Sequence, residues 1–325
     1  MSLDADHIVD RRRMRRKLTF WRVLTVLVAG AGVAALAYSL VPRAAGLATD
    51  YIARIKIQGL IRGDQERVEA LDRLGRSTTA KAVIVHVDSP GGTTAGAEQL
   101  YDALMRLKSR KPLVVVIDGL AASGGYITAL AADHIIAQET SLVGSIGVLF
   151  QYPNFTDLLQ TIGVKVESIK SSPLKAAPSG FEPTSPEARA AIEAIVRDTY
   201  EWFQRLVQSR RSLDQPLLER VSDGRVFTGR QSITLKLIDA LGDERAAVDW
   251  LVKEKNVATG MPVRDYELAP RFRDLSFLHL AAVTVLQSVG LRTLAQRIEA
   301  WGALQAVERL NLDGLLALWH PPISQ

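Results

Sequence analysis

Ser123 stands in the octapeptide Gly119-Leu120-Ala121-Ala122-Ser123-Gly124-Gly125-Tyr126, a run of small residues that follows an apolar stretch. Ahead of it, Leu113-Val114-Val115-Val116-Ile117-Asp118 is rich in β-branched residues and bounded by Pro112 and Gly119, the pattern of a buried strand. Behind it, residues 126–133 are short and Ala-rich and suit a helix. A serine at such a strand-to-helix turn lies among backbone N–H groups without helical partners, and the glycines let a substrate backbone approach closely. An acyl-transfer nucleophile belongs in that setting, because the developing oxyanion meets donors at once. The same residues also describe a serine that caps a helix before a Gly-rich turn.

A nucleophilic hydroxyl needs a base. The Gly-x-Ser-x-Gly elbow is excluded, since the flanking positions hold Ala121 and Gly125. A Ser-His-Asp triad needs a histidine that the fold can bring to Ser123, and the chain has five. His7 precedes the body, His86 lies in an apolar strand, and His279 and His320 fall in the C-terminal tail. His134 is the best placed, but beside Asp133 it also simply opens a strand. The third scheme uses a lysine kept neutral by desolvation. Lys165, Lys170 and Lys175 are the candidates, and Leu174, Ala176 and Ala177 give Lys175 the apolar neighbours such a base requires.

The elements that must position these groups alternate. Residues 52–57 read as an opening strand and 62–74 as a helix. Residues 82–87 form a buried strand running into Asp88-Ser89-Pro90-Gly91-Gly92, and 93–107 have helical spacing. Strand, Gly-rich turn, helix and strand again imply βαβ units and a parallel sheet covered by helices. Residues 134–137, 142–150 and 164–169 read as further strands, and 155–162 as a helix. A Pro/Gly/Ser-rich loop fills 170–183, and a long helix starts at Thr184-Ser185-Pro186-Glu187 and runs to about Arg211. A compact turn at 223–230, a short segment at 237–242 and a helix to Lys255 follow, before an amphipathic, Leu/Ala-rich tail over 275–318.

The net charge of +5 is local. Residues 1–22 hold seven basic against three acidic side chains, while the rest carries 33 against 32. A near-neutral body removes the case for a nucleic-acid binder. Val23 to Pro42 is twenty residues without a charge, with Trp21 and Tyr38 near its ends. Twenty apolar residues span about 30 Å as a helix, enough to cross a bilayer. The basic arm then stays cytoplasmic and the body lies on the other side. A cleaved signal peptide, cut near Ala44-Ala45-Gly46, is the rival reading. There is no cysteine, no nucleotide loop, and nothing that asks for a metal or cofactor.

Five segments in order resemble the signal peptide peptidase A (SppA) family of serine peptidases. They are Val87-Asp88-Ser89-Pro90-Gly91-Gly92, Ala122-Ser123-Gly124-Gly125-Tyr126, Gly144-Ser145-Ile146-Gly147-Val148, Lys170-Ser171-Ser172-Pro173-Leu174-Lys175 and residues 223–230. The resemblance covers about 52–252 and implies an α/β fold, the ClpP/crotonase-like spiral of ββα units, preceded by one transmembrane helix. It implies Ser123 as nucleophile, Lys175 as general base, an oxyanion hole from Gly124 with Gly91 or Gly92, and Ser145 as the partner that orients the lysine. In Clp proteases a histidine lies a little beyond the nucleophile; residues 140–152 contain none, which favours Ser-Lys. Two positions depart from the family pattern: Asp88 replaces a common Asn, and Lys236 interrupts the approach to Leu237-Ile238-Asp239. The implied organisation is a cytoplasmic arm (1–22), a span (23–42), a peptidase domain (50–258) and a tail (259–325). The implied protein is a ring-forming homo-oligomer at the bacterial inner membrane, with an extracytoplasmic catalytic domain that degrades signal-peptide remnants. Alternatives are a crotonase-like acyl-CoA enzyme, which an exported body disfavours, and a non-catalytic membrane scaffold.

Overall fold

The computed structural model describes residues 20–21, 49–268 and 316–318. The chain divides into a unit ending at Thr49 and one beginning at Asp50. Of the first, Phe20 and Trp21 are helical, with rings edge to face at 6.1 Å. The span expected over 23–42 lies outside the described residues, and among the described residues no helix is long and apolar enough to cross a membrane.

The second unit is built on three long parallel strands, β1 (Tyr51–Ile61), β2 (Ala80–Thr93) and β3 (Leu113–Ala122), in consecutive positions. Helices α1 (Gln65–Arg76) and α2 (Thr94–Lys108) make the crossovers. Asp64 and Thr93 cap them, accepting from the N–H of Arg67 and Gly96 respectively. The strands are apolar on both faces because both faces are covered. Val83, Val85, Leu113, Val115 and Ile117 join the larger core, while Ala82, Ile84, Val114 and Val116 face Ala247 and Leu251 in a smaller one.

Beyond β3 come α3 (Gly124–Ala129), β4 (His134–Ala137), β5 (Leu142–Gly144) and α4 (Thr156–Thr161). After these stand α5 (Pro186–Arg211), α6 (Gln215–Val221), β6 (Val226–Thr228), α7 (Gly229–Thr234), β7 (Ala240–Leu241), α8 (Glu244–Lys255) and β8 (Val263–Asp265). A final short strand, β9 (Leu316–Leu318), pairs antiparallel with β2. β8 adds to β1 in parallel, and β6 pairs antiparallel with β5.

One feature of the sheet creates the site. Along one edge, β3 pairs with β4 through Val114–Ile117, then changes partner and pairs with β5 through Leu120–Ala122. Carbonyls at the change are satisfied by Ser141, whose Oγ donates to the oxygens of Ile117 at 3.0 Å and Asp118 at 2.9 Å. The split carries the end of β3 away from β4 and delivers Ser123 beside β5.

Two expected strands differ. The segment read over 142–150 is regular for only three residues before a bend at Ser145, where φ is 51°. Residues 164–169 form no strand, although Val164 and Val166 alternate with charged neighbours; Val164, Val166 and Ile169 are exposed, and among the described residues no strand edge pairs with them. Alternation specifies a strand only where an edge and a core receive it.

Candidate active site

Ser123 is buried, with 1% exposure, and has φ 54° and ψ −115°. A non-glycine residue in that conformation stores about 1–3 kcal/mol of strain, tolerated only when the surroundings impose it. Here they do. The Ser123 N–H donates to the Gly144 carbonyl at 2.8 Å, continuing the β3–β5 ladder, while its own carbonyl accepts from Tyr126 and Ile127 in α3. The chain therefore turns from strand to helix within one residue. Its side chain makes no capping bond, so the alternative of a serine that merely caps a helix is not what the fold holds. The hydroxyl instead donates weakly to the Gly147 carbonyl at 3.4 Å.

The glycines are steric requirements. A Cβ on Gly125 would lie 2.6 Å from the Ser89 carbonyl oxygen, and one on Gly92 would lie 1.8 Å from that of Ile61. Those close approaches lock the Gly91-Gly92 turn against β1 and the start of α3 against the same turn. Ser89, which the sequence reading passed over, organises it: its buried hydroxyl donates to Gly59 O at 2.7 Å and accepts from Gly91 N–H at 3.1 Å. Gly91 N–H is thus already engaged, and Gly92 lies in register with Ile61 of β1 and Ala317 of β9. The only sequence signal for Ser89 was its place ahead of Pro90-Gly91-Gly92.

Ser145, expected to orient the lysine, follows the Gly144 that accepts from the Ser123 N–H; its own N–H donates to Arg225 O at 2.8 Å, and it is 7% exposed. Lys175 lies exposed in the 171–177 segment, and its ammonium makes no hydrogen bond or ion pair among the described residues. Leu174 and Ala176 are exposed as well, so the apolar surroundings expected for Lys175 are not supplied among the described residues. Of the other two lysines, Lys170 is paired with Glu182, and Lys165 is exposed.

Neither described histidine reaches Ser123. His134 pairs in register with Val114, nine residues before Ser123, about 30 Å along the strand. There it stacks on Trp250 at 4.7 Å, and burial lowers its pKa despite Asp239 nearby. His86 is held at both ring nitrogens, Nδ1 by Asp118 at 2.9 Å and Nε2 by Glu244 at 2.9 Å. His7, His279 and His320 lie outside the described residues. Among the described residues no cluster of side chains is arranged to hold a metal ion.

Beside Gly147 opens a groove of roughly 750 Å3, lined by Ile146, Val148, Phe150, Ile192, Val196 and Tyr200 among others. Ser222 lies at its edge, with a buried hydroxyl that has no hydrogen-bond partner. An apolar groove running up to a strained serine is suited to hold an apolar peptide side chain. Its walls are scattered along the chain, on a bend and on one face of α5.

The parallel α/β core that presents Ser123 between two glycine turns is a Clp-protease-like domain. The Clp protease family matches residues 63–142, and peptidase family S49 matches residues 105–258. A putative protease of Synechocystis sp. is 34% identical over 200 residues, covering 61% of this chain and 72% of that one. The putative signal peptide peptidase SppA of Enterococcus faecium is 30% identical, over 62% of this chain and 59% of its own. Protease 4 of Haemophilus influenzae is 28% identical over 84% of this chain but 46% of its own, so the match spans about half that protein. The chain belongs to peptidase family S49 and is a serine peptidase.

Proposed function

We propose that the chain is a membrane-anchored serine endopeptidase that degrades short apolar peptides, signal-peptide remnants above all, by a Ser123–Lys175 dyad. Ser123 carries the reading: nothing in the packing of the chain needs a serine at φ 54°, and its hydroxyl caps no helix. In the reaction, Ser123 Oγ attacks the scissile carbonyl while Lys175, in its neutral form, takes the hydroxyl proton. The Gly124 and Gly92 N–H groups receive the oxyanion. The C–N bond breaks as the lysine returns its proton to the leaving amine. Water, deprotonated by the same lysine, then releases the acyl group and restores Ser123.

Lys175 is exposed and unpartnered among the described residues, and in this reading its apolar surroundings come from a second copy. The exposed apolar side chains concentrated around it, among them Leu158, Ile162, Val166, Ile169 and Phe181, favour such an assembly. The uncharged stretch 23–42 anchors the assembly in the bilayer where apolar peptides collect, with the peptidase body outside the cytoplasm.

The test is hydrolysis of a short fluorogenic apolar peptide. Ser123→Ala and Lys175→Ala should each lose nearly all activity, and the double variant should be barely worse than either. His134→Ala should retain it. Full activity in Lys175→Ala would remove the dyad.

A further inference from the structure

The edge of β2 at Gly91–Thr93 is occupied. On one side β1 pairs with it through Leu60↔Gly91 and Ile61↔Gly92. On the other side β3 pairs with β2 only as far as Ser89↔Ala121, then leaves the edge to form the Ser123 turn. The edge that β3 vacates is taken by β9, antiparallel, with Gly91↔Leu318, Gly92↔Ala317 and Thr93↔Leu316. β9 therefore continues the sheet at the point where the nucleophile begins, along the strand that carries an oxyanion donor. An extended peptide that presents its carbonyl to Ser123 and takes backbone bonds from this turn would need that edge. The occupying segment has the chemistry of the proposed substrate: Leu315-Leu316-Ala317-Leu318 is uncharged and apolar.

We propose that the C-terminal segment around Leu316–Leu318 is a resident competitor of the peptide site, held there by strand pairing and displaced when a substrate binds. This rests on the reading of Ser123 as the nucleophile, since that is what makes the vacated edge a peptide site. A tethered segment needs little intrinsic affinity, because its effective concentration is of order millimolar. If it fills the edge about nine-tenths of the time, the apparent affinity for an incoming peptide falls about tenfold. The enzyme is then restrained at low peptide concentration and released when apolar peptides accumulate.

Ala317→Pro in the full chain tests this. Proline lacks the N–H and fixes a φ unsuited to a strand interior, so pairing opposite Gly92 is lost while the body is untouched. Binding of a fluorescently labelled peptide of residues 312–320 is read by anisotropy, in a Ser123→Ala background so that nothing is cleaved. Ala317→Pro should bind it about five- to tenfold more tightly than the parent, and Leu316→Pro, opposite Thr93, should do the same. With Ser123 intact, KM for a short peptide should fall by the same factor with kcat unchanged. Equal affinity in all three proteins overturns the proposal even if hydrolysis is normal. Hydrolysis that survives in Ser123→Ala removes the nucleophile assignment instead and leaves the binding comparison standing.

Discussion

At the scale of single residues, the site is a conflict between local preference and neighbours, resolved by the neighbours. Ser123 is held at φ 54° by the bond from its N–H to Gly144 and by the turns of α3 pulling on its carbonyl. Glycine adopts that conformation without strain. Ser123→Gly should therefore abolish hydrolysis yet melt higher than Ser123→Ala, by about 1 kcal/mol in thermal unfolding. Equal melting would mean that the backbone is not strained. Gly125→Ala is the opposite case. Its new methyl would meet the Ser89 carbonyl at 2.6 Å, so this smallest of substitutions should cost about 1–3 kcal/mol and displace the oxyanion turn, read as a lower Tm together with lost activity.

At the scale of elements, α8 is fastened to the sheet through its first turn. Glu244 pairs with Arg54 on β1 and accepts from His86 on β2, while Arg54 also reaches Asp265 of β8 at 2.8 Å. The Arg54 guanidinium holds the Glu244 carboxyl below its ordinary pKa; partial burial opposes this, and His86 adds to the lowering. A carboxylate whose folded pKa is depressed lends stability that is complete above its unfolded pKa, about 4.3, and is lost as pH falls through the folded value. Glu244→Gln should lower Tm at neutral pH and flatten the acid limb, so that the two proteins draw together as pH falls below the unfolded pKa, about 4.3. Parallel Tm profiles from pH 7 to 3 would contradict this. The clamp was invisible in the sequence, because Arg54 and Glu244 are 190 residues apart and each reads alone as an ordinary surface charge.

At the scale of the whole molecule, the segment from α4 to the start of α5 presents the apolar face that the proposed assembly would bury. α4 buries no residue, and Leu158 and Ile162 are 58% and 61% exposed. Burying such a face is the ordinary driving force of association. Sedimentation should show the parent as a homo-oligomer and Leu158→Glu with Ile162→Glu as a smaller species of low activity. If Lys175 serves the Ser123 of a neighbour, mixing Ser123→Ala with Lys175→Ala before assembly should restore about one quarter of the parent activity, since that share of random neighbouring pairs joins two intact groups. A mixture as inactive as its components would place both groups of each site in one chain.

What the sequence determined by itself was whatever local chemistry specifies. The β-branched runs at 82–87 and 113–118 are buried parallel strands, because no solvent face interrupts them. Asp64, Thr93, Ser185 and Asp243 start helices because each accepts from an orphan N–H. The five motifs in order, through their family resemblance, singled out Ser123, Lys175, Gly124, Gly91 or Gly92, and Ser145 as candidates. Tertiary structure decided the rest. It decided that Ser123 is strained rather than capping, since its φ depends on where β3 leaves β4 for β5. It decided that Gly91 is engaged by Ser89 and that residues 164–169 join no edge among the described residues. It also decided that Leu316–Leu318 closes the edge of β2, because strand pairing between residues more than two hundred positions apart leaves no periodicity in either segment.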